Sequence, residues 1–175
     1  MKMTAAKIPF LAGIAAWIIL AFATPALADK ACYSPAELEA EQLLRLHSEL
    51  MVITVTCHTG SQGEDLVSAY TTFTKFNIKK LHDAEQTMMR YYEAHGDSNG
   101  TEQLDKLRTK LGNEYGQKIA DISAPMYCKE YRDKVLTYCH ILPNQLGDEV
   151  QRMCVAERSY VPPCAPPSTV AKKQQ

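Results

Sequence analysis

The chain has 175 residues, with 19 Lys and Arg against 20 Asp and Glu, and is 46% apolar and 22% charged. Those proportions exclude a wholly disordered, collagenous or low-complexity chain. The formal net charge of −1 lacks the basic excess that binding to a phosphate backbone draws on, so no nucleic-acid partner is expected.

The first 28 residues read as an export signal and not as part of the fold. Lys2 and Lys7 give a positive start, Ile8 to Phe22 form an apolar run, and Ala26-Leu27-Ala28 has the small-x-small form of a signal peptidase site. An uncleaved anchor is the competing reading. The run of 15 residues is short for it, since a spanning helix needs roughly 20. Asp29, Lys30 and Ala31 ahead of Cys32 do not suit a lipoprotein signal. Cleavage after Ala28 would leave 147 residues carrying a charge of −3, because the segment holds two lysines and no acid. No stable membrane span is then expected, and the destination is the periplasm or the exterior.

Ser34-Pro35-Ala36-Glu37 predicts a helix start, with a capping serine, proline in the first turn and the Glu of a capping box. Leu38, Leu43, Leu46, Leu50, Ile53 and Cys57 then follow three- and four-residue steps along one face. The β-branched run Val52 to Thr56 puts only the last turn in question. After a loop over 58–63, a long helix is expected from Glu64 to His95. Its stripe is Leu66, Tyr70, Phe73, Asn77, Leu81, Ala84, Met88 and Tyr91, broken only by Asn77. Gly96 suits a left-handed cap.

Thr101 is placed as the cap of a third helix carrying Leu104, Leu107, Leu111, Tyr115, Ile119 and Ile122 to Pro125. Gly112 and Gly116 within it cost about 1 kcal/mol each relative to Ala, which favours close packing of another helix over them; a local weakness is the alternative. A fourth helix is expected over 126–142, with Cys128, Tyr131, Val135, Tyr138 or Cys139, and Leu142 inward and Pro143 ending it. A fifth, over 144–158, would carry Leu146, Val150, Met153 and Cys154. The Pro-rich run from Val161 cannot be helical, and 161–175 is expected as a flexible tail. The fold expected is all-α: a single antiparallel bundle of four to five helices over 29–160, braced by disulfides.

The six cysteines are Cys32, Cys57, Cys128, Cys139, Cys154 and Cys164. An even count behind an export signal reads as bridges, and the sequence leaves fifteen pairings open. Cys139 and Cys154 flank Pro143, so a hairpin there would join them, and Cys32 with Cys164 would tie the ends. A Cys57–Cys128 bridge is expected to conflict with strict up-down order unless the helices differ in length, and they do: beside a second helix of 32 residues (64–95) a shorter fourth could start part-way along and allow the pair. A catalytic thiol would need a base in reach; Cys57-His58 and Cys139-His140 are adjacent, and adjacent helical residues point apart. No Cys-x-x-Cys and no Cys-x-x-Cys-His occurs.

His47, His58, His82, His95 and His140 form none of the usual metal-ligand spacings, and three lie at or near predicted helix ends. Asp97 to Glu102 has its glycine two places early for a calcium loop and reads as a turn and cap. Tyr91, Tyr92, Tyr127, Tyr131 and Tyr138 suit either a groove or, more commonly, a core margin. Lys79-Lys80 and Lys106-Arg108-Lys110 read as solvated faces. No metal ligand, cofactor or catalytic residue is assigned.

The stretch Leu46 to Val52 ending in Cys57, with Tyr70 to Phe76, Leu111-Gly112-Asn113-Glu114 and Cys128, resembles a group of small exported alphaproteobacterial proteins over roughly residues 40–130. The resemblance implies a common exported helical domain and a Cys57–Cys128 pair, and no activity. The function expected is an exported, disulfide-stabilised binding or structural protein of the bacterial envelope, without chemistry of its own. Its partner would be another envelope protein or a peptide. A periplasmic metal carrier, or a carrier of haem held by a His and a Met, is the alternative.

Overall fold

A computed structural model of the chain describes residues 31–58, 63–156 and 158–165. The expected signal segment and the last ten residues of the expected tail lie outside the described residues. The rest is an all-helical bundle: α1 (Pro35–Cys57), α2 (Gly63–Ala94), α3 (Gly100–Ile122), α4 (Ala124–Tyr138) and α5 (Pro143–Ala156).

Ser34 caps α1 as its sequence dictates. The Glu37 amide donates to the Ser34 hydroxyl, and the Ser34 amide donates to the Glu37 carboxylate at 2.6 Å. The helix holds through its β-branched last turn because Ile53 and Thr54 are buried against the rest of the bundle; packing outweighs the local strand preference. The α2 stripe is buried at Leu66, Phe73, Leu81, Ala84, Met88 and Tyr91, and Asn77 sits buried within it. There the Asn77 Nδ2 donates to the Phe73 carbonyl at 2.9 Å. Gly96 ends the α2 turn at φ +100°, a conformation that glycine adopts without steric cost.

Several expectations are corrected. Asn99 caps α3 in place of Thr101, its side chain accepting from the Glu102 amide at 3.1 Å. No helix closes over Gly112 or Gly116: a Cβ at either would meet nothing within 4 Å. The close approach falls at Gly100, where a Cβ would lie 2.7 Å from the Met89 carbonyl oxygen. Finally, α4 stops at Tyr138 and Pro143 opens α5, using the first-turn position where a missing N–H costs nothing. Leu142 is therefore 49% exposed, and Tyr127 fills the interior.

The expected conflict over Cys57 and Cys128 does not exist. Between the end of α1 and the start of α4 the chain runs down α2 and back up α3, a round trip that returns it to the same pole. The Cys57–Cys128 bridge spans 5.5 Å between Cα atoms there. Cys32 and Cys164 are also bonded, 4.8 Å apart. Beside them Tyr33 and Pro163 form an isolated parallel bridge, so 161–165, the described part of the expected tail, lies along the start of the chain.

Cys139 and Cys154 are not bonded to each other: both are free thiols, Cys139 buried and Cys154 partly so. Cys139 closes α4, whereas Cys154 lies 11 residues beyond Pro143, the start of α5, about 16 Å along a helix axis. A disulfide needs its Cα atoms within about 7 Å.

Candidate functional site

The densest polar cluster is built on one face of α1. Glu41 and Arg45, one turn apart, are 0% and 3% exposed. The Arg45 Nη2 lies 3.2 Å from Glu41, while Nη1 reaches Glu114 on α3 at 2.8 Å. A buried charge needs both a partner and hydrogen bonds to offset the loss of water, and the C-terminal segment supplies several. The Tyr160 amide donates to both Glu41 oxygens, at 3.0 and 3.2 Å, and the Tyr160 hydroxyl donates to Glu114 at 2.6 Å. The Arg45 guanidinium carbon lies 4.7 Å from the centre of the Tyr160 ring and the Lys110 ammonium 3.5 Å, favourable cation–π placements.

The electrostatics follow from this packing. Burial disfavours the Glu114 anion, but the Tyr160 phenol and the Arg45 guanidinium outweigh it and hold the carboxyl below its ordinary value. Burial and the neighbouring Glu41 push the Tyr33 phenol far up, and burial and Glu114 do the same to Tyr160. These phenols stay protonated and serve as hydrogen-bond donors. The cluster fastens α1 to α3 and to the C-terminal segment.

A second polar chain runs along α4. Lys134 pairs with the nearly buried Glu49 of α1, and the Tyr138 hydroxyl donates to Glu149 of α5, which also pairs with Arg152. The tyrosines divide accordingly. Tyr91 and Tyr127 are buried, while Tyr92, Tyr131 and Tyr138 pack at the core margin.

The histidines do not converge. His47 is enclosed by the Tyr70 and Phe73 rings, its Nε2 2.8 Å from the Tyr70 hydroxyl, and burial lowers its pKa. His58 and His95 place Nδ1 at 2.5 Å from the Val55 carbonyl and 2.7 Å from the Tyr91 carbonyl, the terminal-carbonyl role expected near helix ends. Among the described residues, no three His, Cys, Asp or Glu side chains are grouped to hold a metal ion. Asp97 accepts from the Gln103 amide and Asn99 caps α3, as a turn requires.

No family model, no curated protein and no solved structure matches the chain.

Sequence reasoning missed the Glu41–Arg45–Glu114–Tyr160 cluster. A local signal was present, an acid and a base four residues apart, but that spacing usually marks an exposed pair. Nothing local announces that residues 114 and 160 return to cover it.

An apolar groove lies between the end of α1 and the start of α2, lined by Met51, Thr54, Val55, His58, Val67 and Tyr70. Its volume is about 230 Å³. Met51, Val55 and Val67 are 42%, 60% and 47% exposed. Among the described residues no helix is long and apolar enough to cross a membrane.

Proposed function

We propose that the chain is an exported, disulfide-braced helical module of the bacterial envelope that acts by binding and has no reaction of its own. The observation that carries this reading is the pairing of four cysteines into two bridges, chemistry typical of an oxidising compartment. The leader-like first 28 residues and the resemblance to small exported alphaproteobacterial proteins support the same destination, the periplasm or beyond. Glu41 is held by Arg45 of its own helix and by the Tyr160 amide, and Glu49 by Lys134 of α4; the exposed apolar Met51–Val55–Val67 groove is a surface suited to a partner. An apolar segment of another envelope protein, laid between α1 and α2, suits its apolar lining.

The test combines fractionation with thiol counting. The protein should be found outside the cytoplasm and, after denaturation without reductant, should accept alkylation at Cys139 and Cys154 only. A photo-crosslinker placed at Val55 should give one discrete adduct in cells, lost in Met51→Glu. Cytoplasmic protein with six free thiols would end the export reading. Turnover of a substrate, or stoichiometric metal or haem in natively purified protein, would end the binding reading.

A further inference from the structure

The segment 158–165 is a strap. It leaves the end of α5, lays Tyr160 over the Glu41–Arg45 pair and ends beside α1. There the Tyr33 amide donates to the Pro162 carbonyl at 2.9 Å and the Cys164 amide donates to the Tyr33 carbonyl at 2.8 Å. The Tyr160 amide donates to both Glu41 oxygens, and the Tyr33 phenol hydrogen-bonds the same carboxylate from the residue beside Cys32, so the strap supplies one side of the seal over this fully buried group.

The two disulfides that hold the molecule are not equivalent. Cys57 and Cys128 are both partly buried, at the ends of packed helices flanked by the fully buried Ile53 and Tyr127. Cys164 is exposed, in a segment with no regular helix, and its partner Cys32 precedes α1. Attack by a thiolate depends on access to sulfur. Parting the first pair of sulfurs requires the ends of α1 and α4 to separate, whereas parting the second requires only the strap and the residue ahead of Tyr33 to move.

We propose that the Cys32–Cys164 bridge is a redox latch: a dithiol reductant opens it selectively, the strap lifts, and the Glu41–Arg45–Glu114 cluster is uncovered while Cys57–Cys128 keeps the bundle folded. One thiolate of the dithiol bonds to the Cys164 sulfur and expels Cys32 as a thiolate. The second thiol of the reductant then displaces Cys164 and closes its own disulfide. Two electrons pass to the protein, both protein sulfurs end as thiols, and the reductant is oxidised to a disulfide. The latch rests on the strap geometry and goes beyond the binding reading, which survives if the latch fails.

The test treats the full mature chain with increasing dithiothreitol, quenches by alkylation and maps the labelled cysteines, with amide exchange read in parallel. Cys32 and Cys164 should gain label at least about tenfold sooner in reductant concentration than Cys57 and Cys128. In that state the Tyr160 and Cys164 amides should exchange at least about tenfold faster, with the Leu50 amide in α1 unchanged. Equal labelling of both bridges overturns the latch. So does unchanged exchange at Tyr160 and Cys164 once their bridge is open, which would show the strap held by its cage alone. Cys164→Ser in the full chain is the reductant-free counterpart. It should show the same fast exchange with an unchanged helical signal; slow exchange at Tyr160, or loss of the helical signal, overturns the proposal.

Discussion

Arg45 and Glu114 meet through a single guanidinium nitrogen, Nη1 lying 2.8 Å from both carboxylate oxygens. That geometry leaves Nη2 for Glu41, so one cation joins α1 to α3 and satisfies two acids in different surroundings. The Glu41 side chain is 0% exposed and that of Glu114 38%.

The asymmetry sets the outcome of two substitutions. Arg45→Met leaves Glu41 sealed without its cation and should cost about 3–5 kcal/mol. Glu114→Gln acts on a side chain that water already reaches and should cost about 1 kcal/mol or less. Urea unfolding followed by helical circular dichroism compares them, and equal losses would contradict the assignment.

Acid should loosen the same contact. The folded Glu114 carboxyl lies below its ordinary value of 4.5, so its contribution is fully present above that pH and is lost as pH falls through the lowered folded value. The stability gap between the native chain and Glu114→Gln should therefore be constant above pH 4.5 and close below it, measured by denaturant unfolding at each pH.

His47 gives a separate, earlier window. Burial is the main cause of its lowered pKa; the nearby Glu85 opposes the shift and Arg108 adds to it. The unfolded chain binds a proton at about 6.5, which the folded chain resists, so stability is complete above that pH and declines just below it, before the carboxylates titrate. His47→Phe should remove this early slope. A resonance of the His47 ring titrating at or above 6.5 would refute the account.

Backbone positions make a prediction of opposite signs. A Cβ at Gly112 or Gly116 meets nothing within 4 Å, so each change to Ala should stabilise α3 by up to about 1 kcal/mol. Gly100→Ala should destabilise, because its Cβ would fall 2.8 Å from the Glu93 carboxylate as well as against Met89. Ser123 adopts φ 73° and ψ 151° at the α3–α4 corner, a region that costs a side-chain-bearing residue about 1–3 kcal/mol. Ser123→Gly should therefore raise the melting temperature.

Gln42 is 0% exposed, and among the described residues neither its amide nitrogen nor its amide oxygen has a hydrogen-bond partner. An unmade buried hydrogen bond costs about 1–3 kcal/mol per group. Gln42→Leu should accordingly stabilise the protein by about 1 kcal/mol or more, read as a rise in the urea midpoint at constant slope.

The local signals in the sequence were dependable where chemistry and position coincide. Ser34 with Glu37, Gly96 and the α2 stripe through Asn77 need only neighbours within four residues. Pro143 shows the opposite case: proline suits a first turn as well as a stop, and only the tertiary arrangement selects the first. The Asn99 cap competes with Thr101 two residues away, and both residue types suit the role. The Glu41–Tyr160 contact spans 119 residues, beyond any local pattern. Cys139 and Cys154 failed for a simpler reason, since spacing about a proline says nothing of where the second helix carries its cysteine.

The closeness of Cys32 and Cys164 has an architectural consequence. Their Cα atoms are 4.8 Å apart, little more than the 3.8 Å between neighbours along a chain, so the folded body is nearly a closed ring. A circular permutant joined there through a short linker and reopened in the Asp97–Asn99 turn would retain all five helices. Where synthesis begins is thus separable from how the helices assemble.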